Sequence, residues 1–419
     1  MSSLVFIFYL LIFCYTITRI KFFTKAGLDK ATLIFLFCIK VFAGLLYAKY
    51  YLLPVNYPGS DTFRFFRSSL IETDVLLKNP FVFFKELFTH QYNNSGNIFI
   101  ANQSYWNDLK SNIIIKLLAI INVFTFKNYY AAIVFFNFLF LFGLVGFYKL
   151  IQDLVPTNKW LLLITIFFMP SFLFWSSGIH KDGLIFSAIG IVLWQFHVSL
   201  KNKFTVRSVF IILTSMMLIF GLRNFIFFIL LINLIAWNFS YKSGKTFVVF
   251  GVFYLISLIL FFASTFVSPK INLPNYVVIK QQEFSQLSGR SSFTTKELEP
   301  TVKSFIQYLP TALDVVLLKP HFNEIKNKNY LLAFIENTLL GIFIIFALLF
   351  RKRNTNIPVA FWGCWFFALS LFIIEGYTIT FLGAIVRYKS LGIPLIIAPL
   401  LALIDIKKIQ NSLRKNTLK

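Results

Sequence analysis

Residues 246–267 read TFVVFGVFYLISLILFFASTFV, without a single charged side chain. As a helix this run is roughly 33 Å long at 1.5 Å per residue, enough to cross the hydrocarbon core of a bilayer. Comparable apolar runs lie on both sides of it. They fall at about 4–20, 31–53, 129–151, 158–175, 181–199, 206–221, 223–239, 331–350, 357–374 and 380–404. The chain therefore reads as an all-α integral membrane protein with about eleven transmembrane helices, within a range of roughly ten to thirteen. Composition agrees. Of 419 residues 58% are hydrophobic, 19% aromatic and 13% charged, whereas a soluble domain carries about a quarter charged residues. Soluble globular, disordered and coiled-coil classes are thereby excluded.

The run 207–239 is too long for one crossing, and Gly221-Leu222-Arg223-Asn224 is the expected break. Residues 4–20 read as a retained helix, because no basic segment precedes them and no small-residue cleavage site follows. The three cysteines, Cys14, Cys38 and Cys364, fall inside apolar runs and form no metal-binding spacing. The 56 phenylalanines and the excess of Lys over Arg match the codon usage of an AT-rich bacterial genome.

The net charge of +24 resembles a nucleic-acid footprint, but its distribution gives another meaning. One alternate set of loops, with the tail, holds 19 basic residues against three acidic ones, a net of +16. The positive-inside rule places that set in the cytoplasm. The N-terminus is then outside and the basic tail 406–419 inside. Lys40 falls mid-span. Two long segments, 54–128 and 268–330, are expected on the outer face of this single polytopic domain. Within the first, 113–126 is apolar but short and carries Lys116, which suits an interfacial helix.

The unusual polar residues gather on that outer face. Tyr57-Pro58-Gly59-Ser60-Asp61-Thr62 follows the second helix. Asp61 reads either as a helix cap or as a general base held at the membrane surface. Trp175-Ser176-Ser177-Gly178-Ile179-His180-Lys181-Asp182-Gly183 separates two apolar runs. Successive His, Lys and Asp are costly there unless solvated or paired. With Ser176 or Ser177 as cap, the following helix N-terminus and Lys181 would make a phosphate site. The plain alternative is a short surface loop with a snorkelling lysine. His180 with Asp182 also leaves a divalent metal open, although two ligands are few. Arg223 marks the break in 207–239. Arg387-Tyr388 lies two turns into the last run, with Glu375 as a candidate partner, and Lys319-Pro320-His321-Phe322-Asn323-Glu324 precedes the ninth. No phosphate-binding loop of the Walker type occurs, so the chain is not itself an ATPase. Carboxylates near mid-span, expected of an ion-coupled carrier, are lacking too.

Gly59-Ser60-Asp61 after an early helix, interfacial helices in the loop beyond it, and a late helix with Arg387-Tyr388 together resemble the GT-C-type membrane glycosyltransferases and related bacterial polysaccharide polymerases. The Pro320 to Glu324 stretch adds to this likeness. The resemblance is architectural and covers most of the chain. Two features depart from the family pattern: the loop follows the second helix rather than the first, and Thr62 stands where a second acidic residue is usual. The resemblance implies a polyprenyl-phosphate-linked sugar as donor and a glycan or lipid-linked acceptor. It implies Asp61 as the activating carboxylate. It likewise implies Lys181, Arg223 and Arg387 as phosphate-side residues, and the residues' own chemistry adds Ser177, His180, Asp182, Glu324 and Tyr388 as candidate substrate- or phosphate-binding groups, although the Trp175–Asp182 segment is not part of the general family pattern. The expected setting is a bacterial cytoplasmic membrane, with no nucleic-acid partner. A transporter or flippase of lipid-linked glycans is the alternative.

Overall fold

The computed structural model describes residues 2–405 and 408, apart from 55, 58–59, 90–104, 156–158, 269–270, 288–290 and 353–356. Pro58 and Gly59 of the Asp61 loop, and all of the tail 406–419 except Lys408, lie outside the described residues. The described chain is helical throughout, with two isolated β-bridges.

In order the helices are α1 (Ser2–Ile17), α2 (Lys21–Thr24), α3 (Lys30–Leu52), α4 (Asp61–Lys78), α5 (Pro80–Thr89), α6 (Tyr105–Thr125), α7 (Tyr129–Leu154), α8 (Lys159–Phe167), α9 (Pro170–Trp175) and α10 (Lys181–Asn202). They continue as α11 (Val206–Leu222), α12 (Asn224–Ser243), α13 (Thr246–Ala263), α14 (Leu273–Gln286), α15 (Val302–Leu317), α16 (Lys328–Leu349), α17 (Val359–Thr378), α18 (Leu382–Lys389) and α19 (Ile393–Leu400). Among the described residues seven helices are long and apolar enough to cross a membrane: α3, α7, α10, α12, α13 with its 3-10 extension, α16 and α17. The pair α18 and α19, bent by 48°, makes an eighth if it is one span. Only 6% of the apolar window of α13 is buried. A helix apolar all round and left so open calls for hydrocarbon around it. The chain is a polytopic helical membrane protein.

Several predicted runs differ from expectation. The run 158–175 is not one helix. It breaks between α8 and α9, where Pro170 has no N–H to donate and disfavours helical backbone in Met169. The α8 helix has nine residues, so it reaches only about 14 Å. The runs near the N-terminus and at 206–221 form helices of 16 and 17 residues, short of the length that a straight crossing needs. The expected break at Gly221–Asn224 is present: Arg223 has extended backbone (φ −151°, ψ 90°) between α11 and α12.

The chain divides into two compact units, 1–149 with 172–228 and 150–171 with 229–419. In the first, α7 and α10 pack through small residues. A Cβ on Gly143 would lie 2.0 Å from Ser187 Cα, and one on Gly190 2.1 Å from the Gly143 carbonyl oxygen. The Ser187 hydroxyl donates to Leu139 O and accepts from Gly143 N–H, fastening the same contact. Gly183 lies against Phe140 one turn earlier. The first turn of α10 therefore starts near residue 137 of α7, roughly 12 Å along from Tyr129. The phenylalanines form ladders here, such as Phe13 stacked on Phe138 and Phe22 on Phe142. Amphipathic α4 packs along α6, and Lys116 of α6 pairs with Glu72 of α4 and Glu86 of α5. The α6 helix holds the segment read as interfacial and is not among the seven candidate spans. In the second unit α15 crosses α17, where Gly376 meets the Ala312 backbone and the Tyr377 hydroxyl donates to Phe305 O.

Candidate functional site

The charge of the first unit collects around one turn. After Trp175 the chain must turn before α10, and that turn is 176–180. Its carbonyls have no helical partners, so other side chains must satisfy them. Asn137 on α7 donates to Ser177 O at 2.8 Å. Lys40 on α3 donates to both the carbonyl and the hydroxyl of Ser176, at 2.8 and 2.7 Å. Close approach completes the clamp. A Cβ on Gly178 would lie 2.2 Å from the Tyr47 ring, and one on Gly44 2.6 Å from Ser177 O.

The turn delivers His180 as the N-cap of α10, with Asp182 in its first turn. Neither Ser176 nor Ser177 caps the helix, contrary to expectation. The Ser177 hydroxyl donates back to Leu173 O, four residues earlier, and the residue is fully buried. His180 Nδ1 lies 3.1 Å from Asp182 Oδ2 and 3.4 Å from the Asp182 N–H. In the N-cap geometry Nδ1 accepts from the Asp182 N–H; a proton on Nδ1 would instead be donated to the Asp182 carboxylate. The other oxygen of Asp182 takes the Arg223 guanidinium, which the break after α11 brings in. A buried carboxylate thus has a cation and an imidazole as partners, which burial of its charge requires.

On the far edge of the ring, His180 Nε2 points at Asp61 Oδ2, 3.6 Å away. That is an ion-pair separation, longer than a hydrogen bond. Asp61 is not a cap. It is the first residue of α4, with Ser60 preceding it, and its other oxygen accepts from Arg64 at 2.9 Å. The four side chains form one line: Asp61, His180, Asp182, Arg223. Exposure falls steeply along it, from 37% at the Asp61 side chain to 1% at His180 and 0% at Asp182. Lys181, half-buried beside them, holds its ammonium 5.4 Å from the Phe65 ring of α4. Among the described residues no three His, Cys, Asp or Glu side chains converge as a metal site.

The remaining candidates belong to the second unit. Glu324 pairs with Lys319 and accepts from the His321 backbone, while His321 Nε2 faces Asp314 at 3.2 Å. Burial raises the Glu324 carboxyl, but its bonds to Lys319 and His321 outweigh this and hold it below the ordinary glutamate range. The Arg387 guanidinium lies 5.6 Å from the Tyr388 ring. Buried Lys389 donates to Val316 O and to Asn337, and Asn337 in turn donates to Lys319 O.

Sequence reasoning singled out all four members of the Asp61–Arg223 line. It missed Asn137, Asn337 and Lys389, and it gave mid-span Lys40 no role. A charged residue inside an apolar run was the available signal for the two lysines. Nothing in their own segments marked the asparagines. No family model matches the chain, and neither a curated protein nor a solved structure matches it.

Proposed function

We propose that the chain is a membrane-embedded glycosyltransferase of GT-C type, or a polysaccharide polymerase, with the Asp61 end of the first unit on the extracytoplasmic side of a bacterial cytoplasmic membrane. The observation that carries the reading is the carboxylate–imidazole–carboxylate–guanidinium line with one accessible end. Such a line suits removal of a proton from a hydroxyl. Asp61 takes the proton of the acceptor hydroxyl. The freed oxygen forms a bond to the anomeric carbon of a polyprenyl-phosphate-linked sugar, and the bond from that carbon to the phosphate oxygen breaks. The electron pair leaves with the phosphate, whose growing charge Lys181 is placed to stabilise. Asp61 can then pass the proton to His180 Nε2 once the 3.6 Å gap closes by somewhat under 1 Å. Asp182 stabilises the resulting imidazolium. Arg223, read from sequence as a phosphate ligand, instead holds Asp182 in this scheme.

The test is Asp61→Asn and His180→Gln in the native host, with lipid-linked glycan intermediates profiled on each leaflet. The expected result is accumulation of unextended lipid-linked units on the outer leaflet, with turnover down on the order of 100-fold or more for Asp61→Asn. Wild-type profiles in both variants would refute the proposal. Accumulation on the inner leaflet would replace it with a flippase.

A further inference from the structure

Lys40 is the most anomalous residue of the first unit. It lies ten residues into α3, a candidate span, and is 1% exposed. Its partners are neutral: the carbonyl and hydroxyl of Ser176, with the rings of Phe140 and Phe172 each 5.8 Å from Nζ. Lysine at the centre of a membrane helix is costly and calls for a compensating role. A neutral asparagine does comparable work one step along, where Asn137 holds Ser177 O. The lysine differs in reach. Its long stem lets a residue deep in α3 hold the start of the turn. Successive positions of one α3 face then meet successive residues of the turn: Lys40 with Ser176, Gly44 with Ser177, Tyr47 with Gly178. Spacings of four and three residues trace a single stripe along the helix. The turn is thereby laid in register on α3, and His180 follows two residues after the stripe ends.

We infer that Lys40 is a positioning residue for His180, fixing the depth and path of the turn that carries the imidazole. The inference deepens the proposed function in that it concerns the same site, but its test does not need that function to be correct. The amine satisfies two acceptors of a buried turn. With Lys40→Met the stem volume remains, the apolar span is preserved and both acceptors lose their donor.

The experiment uses the full-length protein in detergent, with diethyl pyrocarbonate as probe and modification of each histidine followed by peptide mass spectrometry. His197 and His321 serve as internal references. Loss of two hydrogen bonds of about 1 kcal/mol each favours opening of the turn by roughly 30-fold. The expected result is therefore a 10- to 30-fold faster modification of His180 in Lys40→Met, with His197 and His321 unchanged. Lys40→Gln, which restores a donor, should recover part of the protection. Unchanged His180 reactivity in folded Lys40→Met would overturn the inference. So would a parallel rise at all three histidines, which marks general loosening. Where His180→Gln abolishes glycan extension, Lys40→Met should lower turnover with little change in apparent KM, and Lys40→Gln should rescue it. If His180→Gln has no effect on glycans, the functional reading fails while the modification result still decides the role of Lys40.

Discussion

The packing of α7 on α10 makes a quantitative prediction for Gly143→Ala. The new Cβ would be 2.0 Å from Ser187 Cα and 2.3 Å from its carbonyl oxygen. Carbon atoms pack at about 3.5 to 4.0 Å, so the backbones must separate by roughly 1.5 to 2 Å. Neither obstacle is a side chain that can rotate away. Overpacking of this kind costs about 1 to 3 kcal/mol. Separation also breaks the two bonds of the Ser187 hydroxyl, worth about 1 kcal/mol each. The sum is about 3 to 5 kcal/mol, a fall in melting temperature on the order of 10 °C. The same shift moves the start of α10, and with it His180 and Asp182, away from Asp61. A displacement of about 1 Å costs roughly 100-fold in a reaction that needs aligned groups. The assay is thermal unfolding of the detergent-solubilised protein, followed by size-exclusion chromatography of a fluorescent fusion. Gly146→Ala is the graded comparison. Its Cβ would meet Gly190 O at 3.1 Å, so a few tenths of an ångström suffice and the loss should be under about 1 kcal/mol. Gly251→Ala in α13 meets nothing within 4 Å and should be neutral or slightly stabilising. Equal melting of the Gly143 and Gly146 variants would refute the close α7–α10 contact, and with it the placement of the site.

Three further predictions concern charge. Asp182→Asn leaves the largely buried Arg223 guanidinium without its carboxylate and should cost about 3 to 5 kcal/mol. The double change Asp182→Leu with Arg223→Met should cost less, measured on the same melting scale. Asp61→Asn removes an exposed pair with Arg64, worth no more than about 1 kcal/mol, and the 3.6 Å contact with His180 at the open end, so stability should hold while glycan extension is lost; a protein that unfolds instead would contradict the placement of Asp61 at the open end. Glu324 is held below its unfolded value of about 4.3. Its contribution is therefore complete above that pH and fades as pH falls through the lower folded value. Glu324→Gln should flatten the acid side of the melting-temperature profile below about pH 4.3. An unchanged slope there would mean that the Lys319 pair is not maintained.

The elements that were legible in the sequence were those whose evidence is local. Long apolar runs gave α3, α7, α13, α16 and α17, and Arg223-Asn224 marked the break before α12. His180 and Asp182 were conspicuous because charge in an apolar setting has few explanations. What was hidden depends on partners far along the chain. That Asp61 faces His180 is a contact across 119 positions, invisible to any local pattern. The role of Lys40 depends on Ser176, 136 residues away. Ser177 misled because serine before a helix usually caps it, whereas here its hydroxyl found Leu173 O. The run 158–175 misled because hydropathy alone does not register that Pro170 cannot donate.

The steep fall in exposure along the site has a consequence for isotope exchange. Of the three titratable groups beginning with Asp61, only that carboxylate is open to solvent. Asp61 then offers deuterium from bulk water a route to the His180 ring, and replacing that carboxylate should slow the exchange. In nitrogen-15 spectra the ring N–H of His180 should persist long enough to be seen, and Asp61→Leu should lengthen its lifetime further. A site built this way keeps its own proton account, settled with the solvent one side chain at a time.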